Sequence, residues 1–162
     1  MFQCLTGMRY GELKFINRRV VTLNNCILLK EEKNSNKDTR LIPLSNIAKD
    51  ILGKYDYKLP LISNQKQNEA IKEVIEKIGF THDVEYSRVK GVVQERFVRQ
   101  FKDRISTHTA RPSFITIMRN KGIADKTIMS ISGHTGIKSF NQYHQVDNAA
   151  RLNAITSVFD SF

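Results

Sequence analysis

A chain of 162 residues with 40% hydrophobic content can bury one sizeable core and gives no reason to expect two, so a single domain over 1–162 is expected. Lys and Arg outnumber Asp and Glu by 26 to 16, and the formal charge of +10 favours a polyanion as partner, nucleic acid first. Cys4 and Cys26 are too few for a disulfide framework and lie outside any metal-ligand spacing, and no apolar run reaches the roughly 20 residues of a membrane span, so a cytoplasmic protein with free core thiols is expected.

The opening MFQCLTGMRY has no basic stretch leading into a long apolar run, and so does not read as a secretory signal. Phe2 and Leu5 read as the end of an apolar helix whose earlier turns are missing, which suggests a fragment. After the Thr6-Gly7 break, Met8, Leu13 and Ile16 give a second helix a buried side, with Arg9 in its first turn. RVVTL and CILLK are β-favouring runs on either side of Asn24-Asn25, a pair that tolerates left-handed turns. With TRLIPL, reached through the polar turn 34–38, they predict a small three-stranded antiparallel meander.

Pro43 ends that meander. Ser45 then caps a helix whose apolar positions are Ile47, Ile51, Leu52 and Tyr55. From Asn64 to Gly79 the pattern is again helical, with a stripe of Ala70, Ile71, Val74, Ile75 and Ile78. Residues 81–104 predict an irregular or hairpin insertion, in which RVKGVVQERFVRQFKDR holds six basic and two acidic residues. A helix from Thr107 to about Asn120 follows, with Phe114, Ile117 and Met118 inward and Gly122 as its stop. Short helices are expected near 125–132 and 137–146. The last segment places Leu152, Ile155, Phe159 and Phe162 on one stripe, suited to a neighbouring surface or another subunit. The fold class is thus α+β, mainly helical.

Three clusters combine arginine, histidine and tyrosine: TGMRYGEL with Arg9, THTARPSF with His108 and Arg111, and SGHTGIKSFNQYH with His134 and Tyr143. Taken singly, an exposed Arg, a capping His or a half-buried Tyr is ordinary. Their order and spacing carry the argument. The chain resembles the catalytic domain of the tyrosine recombinases, or phage-type integrases. In that family an Arg follows a Thr-Gly turn, a His-x-x-Arg opens a later helix, and the nucleophilic Tyr stands nine residues beyond a Gly-His pair, as Tyr143 does from His134. Arg9, His108, Arg111, His134 and Tyr143 match those positions, Glu12 matches the acidic position after the first Arg, and Ile42 to Leu44 match the IPL run. THTAR before an aromatic helix is most similar to integrases of mobile elements such as conjugative transposons.

The resemblance implies a mainly helical catalytic domain with a small sheet, double-stranded DNA as partner, and a tetramer of protomers on two DNA sites that exchange C-terminal helices. It implies no cofactor and no metal. It also implies a helical DNA-clamping domain, which is expected to be absent from residues 1–162, and a catalytic lysine on the turn between the second and third strands. Lys30, Lys33 and Lys37 are available there; Lys33 is taken as the lysine, and Lys37 fits the distance to the Pro-Leu pair nearly as well.

A phosphodiester repels nucleophiles and has a poor leaving group, so a metal-free site needs fixed cations and a proton donor. Arg9 and Arg111 can each fork two N–H bonds onto non-bridging oxygens. In the roles that the resemblance implies, Tyr143 attacks phosphorus to give a 3′-phosphotyrosyl link, Lys33 protonates the leaving 5′-oxygen, and His134 and His108 serve the phosphate or the tyrosine proton. Pro112 departs from the family pattern and restricts the backbone of Arg111, so a misplaced guanidinium would weaken catalysis. The alternatives are a non-catalytic DNA-binding or assembly fragment and a relaxing enzyme like the type IB topoisomerases. A metal-dependent nuclease is disfavoured, because no set of clustered carboxylates suits two metals.

Overall fold

A computed structural model describes residues 1–30, 39–142 and 148–160 of the chain, side chains excepted at 88, 90, 148–150 and 154. In chain order the elements are α1 (Phe2–Thr6), β1 (Cys26–Lys30), β2 (Thr39–Pro43), α2 (Asn46–Lys54), α3 (Asn64–Lys77), β3 (Asp83–Lys90), β4 (Val93–Gln100), α4 (Phe101–Arg104), α5 (Ala110–Asn120), α6 (Asp125–Ser132), α7 (Ile137–Asn141) and α8 (Asn148–Phe159). Short 3-10 turns lie at Tyr10–Phe15, Arg18–Val20 and Thr107–Thr109. The chain is mainly helical with small antiparallel sheets, as its sequence pattern predicts. It divides into two compact units, Met1–Pro60 with Ala110–Phe162 and Leu61–Thr109.

In the first unit, α1 packs on α2 and α5, and α6 packs on β2 and α5. One core gathers Phe2, Met8, Ile27, Ile42, Ala48 and Leu52; a second holds Phe114, Ile115, Ile128 and Phe140. The chain enters α5 with Pro112 in its first turn, where a missing N–H removes no helix hydrogen bond. Ser45 caps α2 as expected, its hydroxyl accepting from the Ala48 N–H at 3.3 Å. The buried face of that helix is Ala48 and Leu52, however, and the expected Ile47 and Tyr55 are exposed. Likewise Ile115 rather than Ile117 turns inward on α5, because packing against α1 and α6 selects the face and Ile117 lies two residues round the helix. Both cysteines are free and half-buried rather than core.

The expected meander keeps two of its strands. β1 and β2 pair antiparallel with Ile27 opposite Ile42 and Leu29 opposite Arg40. The first run instead makes a 3-10 turn, because Asn17 accepts the Arg19 N–H at 2.9 Å and curls the chain; Val21 then makes one antiparallel bridge to Ile27. Within the segment from Met8 to Ile16, Tyr10–Phe15 is also 3-10 rather than α-helical.

The second unit is α3, capped by Ser63, with the β3–β4 hairpin and α4. The hairpin turns at Gly91, whose φ of +65° suits glycine. Lys72 and Lys102 pair with Asp103 and Glu76, joining α3 to α4. Thr107 is tied to α3 by its N–H to Asn68 Oδ1 and its hydroxyl to Asn64 Oδ1, both at 2.8 Å. The helix expected after Thr107 is present: the 3-10 turn at Thr107–Thr109 leads directly into α5, which ends at Asn120.

Candidate active site

Gly7 ends α1 with φ +65° and sits so close to Phe114 that a Cβ there would lie 2.7 Å from the ring. Its carbonyl is thereby held against α5 and accepts from Arg111 Nη1 at 3.0 Å. The Thr-Gly turn thus serves twice: it releases the chain toward Arg9, and it grips the other arginine of the site. Arg111 is 6% exposed, and its Nη2 lies 3.4 Å from His134 Nδ1. Pro112 therefore leaves the guanidinium of Arg111 able to reach both partners.

His134 is delivered by the end of α6. Gly133 adopts φ +71°, and the N–H groups of Gly133 and His134 both return to the Met129 carbonyl, a glycine stop that turns the next side chain back over the helix. The ring lies edge-on to Phe140, with centroids 5.4 Å apart, and its Nδ1 is 2.9 Å from Ser132 Oγ. A guanidinium can only donate, so Nδ1 is the acceptor toward Arg111 and the neutral ring carries its proton on Nε2. Burial, followed by the charges of Arg111, Arg9 and Arg40, depresses the His134 pKa from 6.5 to about 4. At neutral pH the residue is an uncharged N–H donor.

Arg9 is the residue before the Tyr10–Phe15 turn, with a side chain 47% exposed. Glu12 holds it by two contacts: Oε2 accepts the Arg9 backbone N–H at 2.7 Å and Oε1 accepts Arg9 Nη1 at 3.0 Å. The same Oε2 accepts Arg40 Nη2 at 2.8 Å, and Arg40 Nη1 donates to the Ser132 carbonyl at 2.6 Å. Arg9, Arg111 and His134 thus meet in one unit, joined through Glu12, Arg40 and Ser132.

Of the other expected site residues, His108 lies in the second unit, exposed on the Thr107–Thr109 turn. Lys33 and Tyr143 lie outside the described residues. Arg40 and Ser132 belong to the network and were not expected from the motif. The signal for Arg40 was alternation: on TRLIPL it is in phase with buried Ile42 and out of phase with exposed Leu41. Among the described residues no cluster of three or more His, Cys, Asp or Glu is placed to hold a metal ion, and no helix is long and apolar enough to cross a membrane.

A model of the phage integrase family matches residues 1–150. The tyrosine recombinase XerC of Staphylococcus carnosus (strain TM300) is 27% identical over 149 residues, covering 88% of this chain and 46% of that protein, so the chain spans a little under half the length of this relative. Among solved structures, XerA recombinase superposes with a TM-score of 0.68 at 18% identity, covering 96% of this chain and 55% of that one. The Tn1549 transposon integrase in complex with transposon right end DNA gives 0.62 at 13% identity, with coverages of 98% and 57%. XerH bound to a palindromic difH substrate gives 0.62 at 18%, with coverages of 98% and 43%. At these identities the superpositions establish the fold.

Proposed function

Because the chain belongs to the phage integrase family, we propose that it is the catalytic part of a tyrosine recombinase, which cuts DNA strands and rejoins them through a 3′-phosphotyrosyl link. The observation that carries this reading is the convergence of Arg9, Arg111 and a neutral His134, three donors drawn from distant parts of the sequence into one unit. In the reaction, the two guanidiniums draw charge from the non-bridging oxygens as the pentavalent centre forms. His134, with Nδ1 occupied as an acceptor, donates Nε2–H to a phosphate oxygen. Tyr143 attacks phosphorus, Lys33 protonates the 5′-oxygen as it leaves, and His108 orients the phosphate or takes the tyrosine proton. The bond energy passes into the phosphotyrosyl link, so no nucleotide triphosphate is needed.

The substrate is double-stranded DNA, in keeping with a net charge of +10. The working protein is a cytoplasmic homo-oligomer on paired DNA sites that uses the exposed Leu152, Ile155 and Phe159 of α8 to dock on a neighbour. Residues 1–162 act as one recombinase domain, and a mobile element is the expected setting.

The test is covalent trapping of the full-length protein on a nicked suicide substrate. Wild type is expected to form an adduct that survives denaturation, and Tyr143→Phe to form none while still binding DNA. Binding without any wild-type adduct would leave a non-catalytic DNA-binding fragment. Supercoil relaxation without paired sites would point to a topoisomerase-like enzyme instead.

A further inference from the structure

We propose that Arg40 is the positioning residue of this site, a buried guanidinium on β2 that fixes Arg9 through Glu12 and His134 through Ser132. The proposal rests on the recombinase reading for its catalytic consequence and on geometry for everything else.

The register of β2 turns Arg40 and Ile42 to the same buried side, opposite Leu29 and Ile27 of β1. Arg40 is only 5% exposed there, in a row whose other members are aliphatic. A charge in such a place costs free energy to desolvate, and an apolar residue of similar volume would fill the position at least as well. What an apolar residue cannot do is span two acceptors. The Arg40 fork reaches Glu12 Oε2 at 2.8 Å with Nη2 and the Ser132 carbonyl at 2.6 Å with Nη1. The planar guanidinium sets the angle between these contacts, where a lysine would offer one flexible point.

Both acceptors belong to segments that end in a site residue. Glu12 is the carboxylate that holds the Arg9 side chain and backbone N–H. Ser132 is the last residue of α6, and its hydroxyl lies 2.9 Å from His134 Nδ1. Without Arg40, Glu12 keeps Arg9 but is no longer tied to the core, and the end of α6 loses its link to the sheet. The Arg40 charge also helps to hold His134 neutral. Arg40 itself faces away from solvent and is not a phosphate ligand, so it acts through its neighbours.

The experiment compares wild type with Arg40→Met, Arg40→Lys and Glu12→Gln in the full chain, reading the Arg9 Nε–Hε signal and the His134 imidazole titration by NMR. Single-turnover adduct formation at saturating DNA is followed in parallel. Both Arg40 variants are expected to mobilise Arg9, and Arg40→Met also to raise the pH at which His134 titrates, while adduct formation slows about 100-fold and DNA affinity stays within about twofold. Glu12→Gln is expected to mobilise Arg9 with a smaller effect on His134. A folded Arg40 variant in which Arg9 and His134 behave as in wild type overturns the proposal, even if its thermal stability has fallen. Should Arg40→Met fail to fold, Arg40→Lys, which keeps the charge, decides the matter. The NMR readouts need no cleavage, so a wild type that forms no adduct would defeat the recombinase reading and leave Arg40 to be judged on Arg9 and His134.

Discussion

In the proposed reaction, Arg111 and His134 divide a chemical task by what each can donate. The guanidinium is always charged and buried, with contacts to the Gly7 carbonyl and His134 that fix its plane. Lysine at that position keeps the charge and loses the fork, so Arg111→Lys is expected to lower single-turnover cleavage by about 100-fold or more with DNA still bound; a rate near wild type would show that one point charge suffices. His134 is held neutral by burial and by three nearby arginines, with a folded pKa of about 4 against 6.5 for the free side chain. Between those values the unfolded chain binds a proton that the folded chain refuses, so this group's contribution to stability is whole above pH 6.5 and is lost as pH falls toward 4. Thermal midpoints of wild type should therefore drop across that window more steeply than those of His134→Gln, and parallel curves would argue against the assignment. The motif marked both residues from spacing alone. It did not reveal that His134 is uncharged, since that depends on Arg9 and Arg40, which approach only in the folded chain.

At the scale of elements, the short helices α1 and α7 support site residues carried by α5 and α6, through the Gly7 carbonyl and the Phe140 ring. α1 ends on Gly7, whose positive φ and contact with Phe114 leave no room for a side chain. Gly7→Ala is expected to cost about 1–2 kcal/mol from backbone strain alone, with a further loss from the displaced ring, measurable by urea denaturation. The same variant should slow cleavage, because the Gly7 carbonyl is a partner of Arg111. α7, the last described element before Tyr143, is held by Arg119: its guanidinium lies 4.2 Å from the Phe140 ring centre and donates to Asn141 Oδ1 at 2.9 Å, while a two-point pair with Asp125 anchors it to α6. Arg119→Met should cost about 1 kcal/mol and raise hydrogen exchange in α7; unchanged exchange there would mean that Phe140 alone secures the helix. The elements themselves were largely legible: the Ser45 cap, the α3 span and the bounds of α6 follow from local signals. The faces that the helices bury were less so, as Ala48 and Ile115 show, because an apolar stripe two residues wide permits more than one packing and the neighbouring element selects among them.

For the whole molecule, the proposed DNA binding and assembly rest on charge and on the C-terminal helix. Affinity for duplex DNA should fall steeply with salt, linearly on a log–log plot, whatever the base sequence. A flat response would remove the electrostatic basis for DNA as partner. α8 exposes Leu152, Ile155, Val158 and Phe159, and an apolar surface of this kind suits a partner helix or subunit. Deleting 148–162 is expected to shift the sedimentation of the DNA-bound protein toward the monomer; an unchanged assembly would place the contact elsewhere.

By itself the sequence determined the mainly helical class with small antiparallel strands and the net positive charge, from composition and periodicity, while the order and spacing of Arg9, His108, Arg111, His134 and Tyr143 carried the resemblance to the tyrosine recombinases. Only the tertiary structure decided what holds the site together. Arg40 and Ser132 lie 92 residues apart, and Arg111 and Gly7 lie 104 apart. No local pattern joins such pairs, because the hydrogen bonds between them exist only once α1, β2, α5 and α6 have packed together.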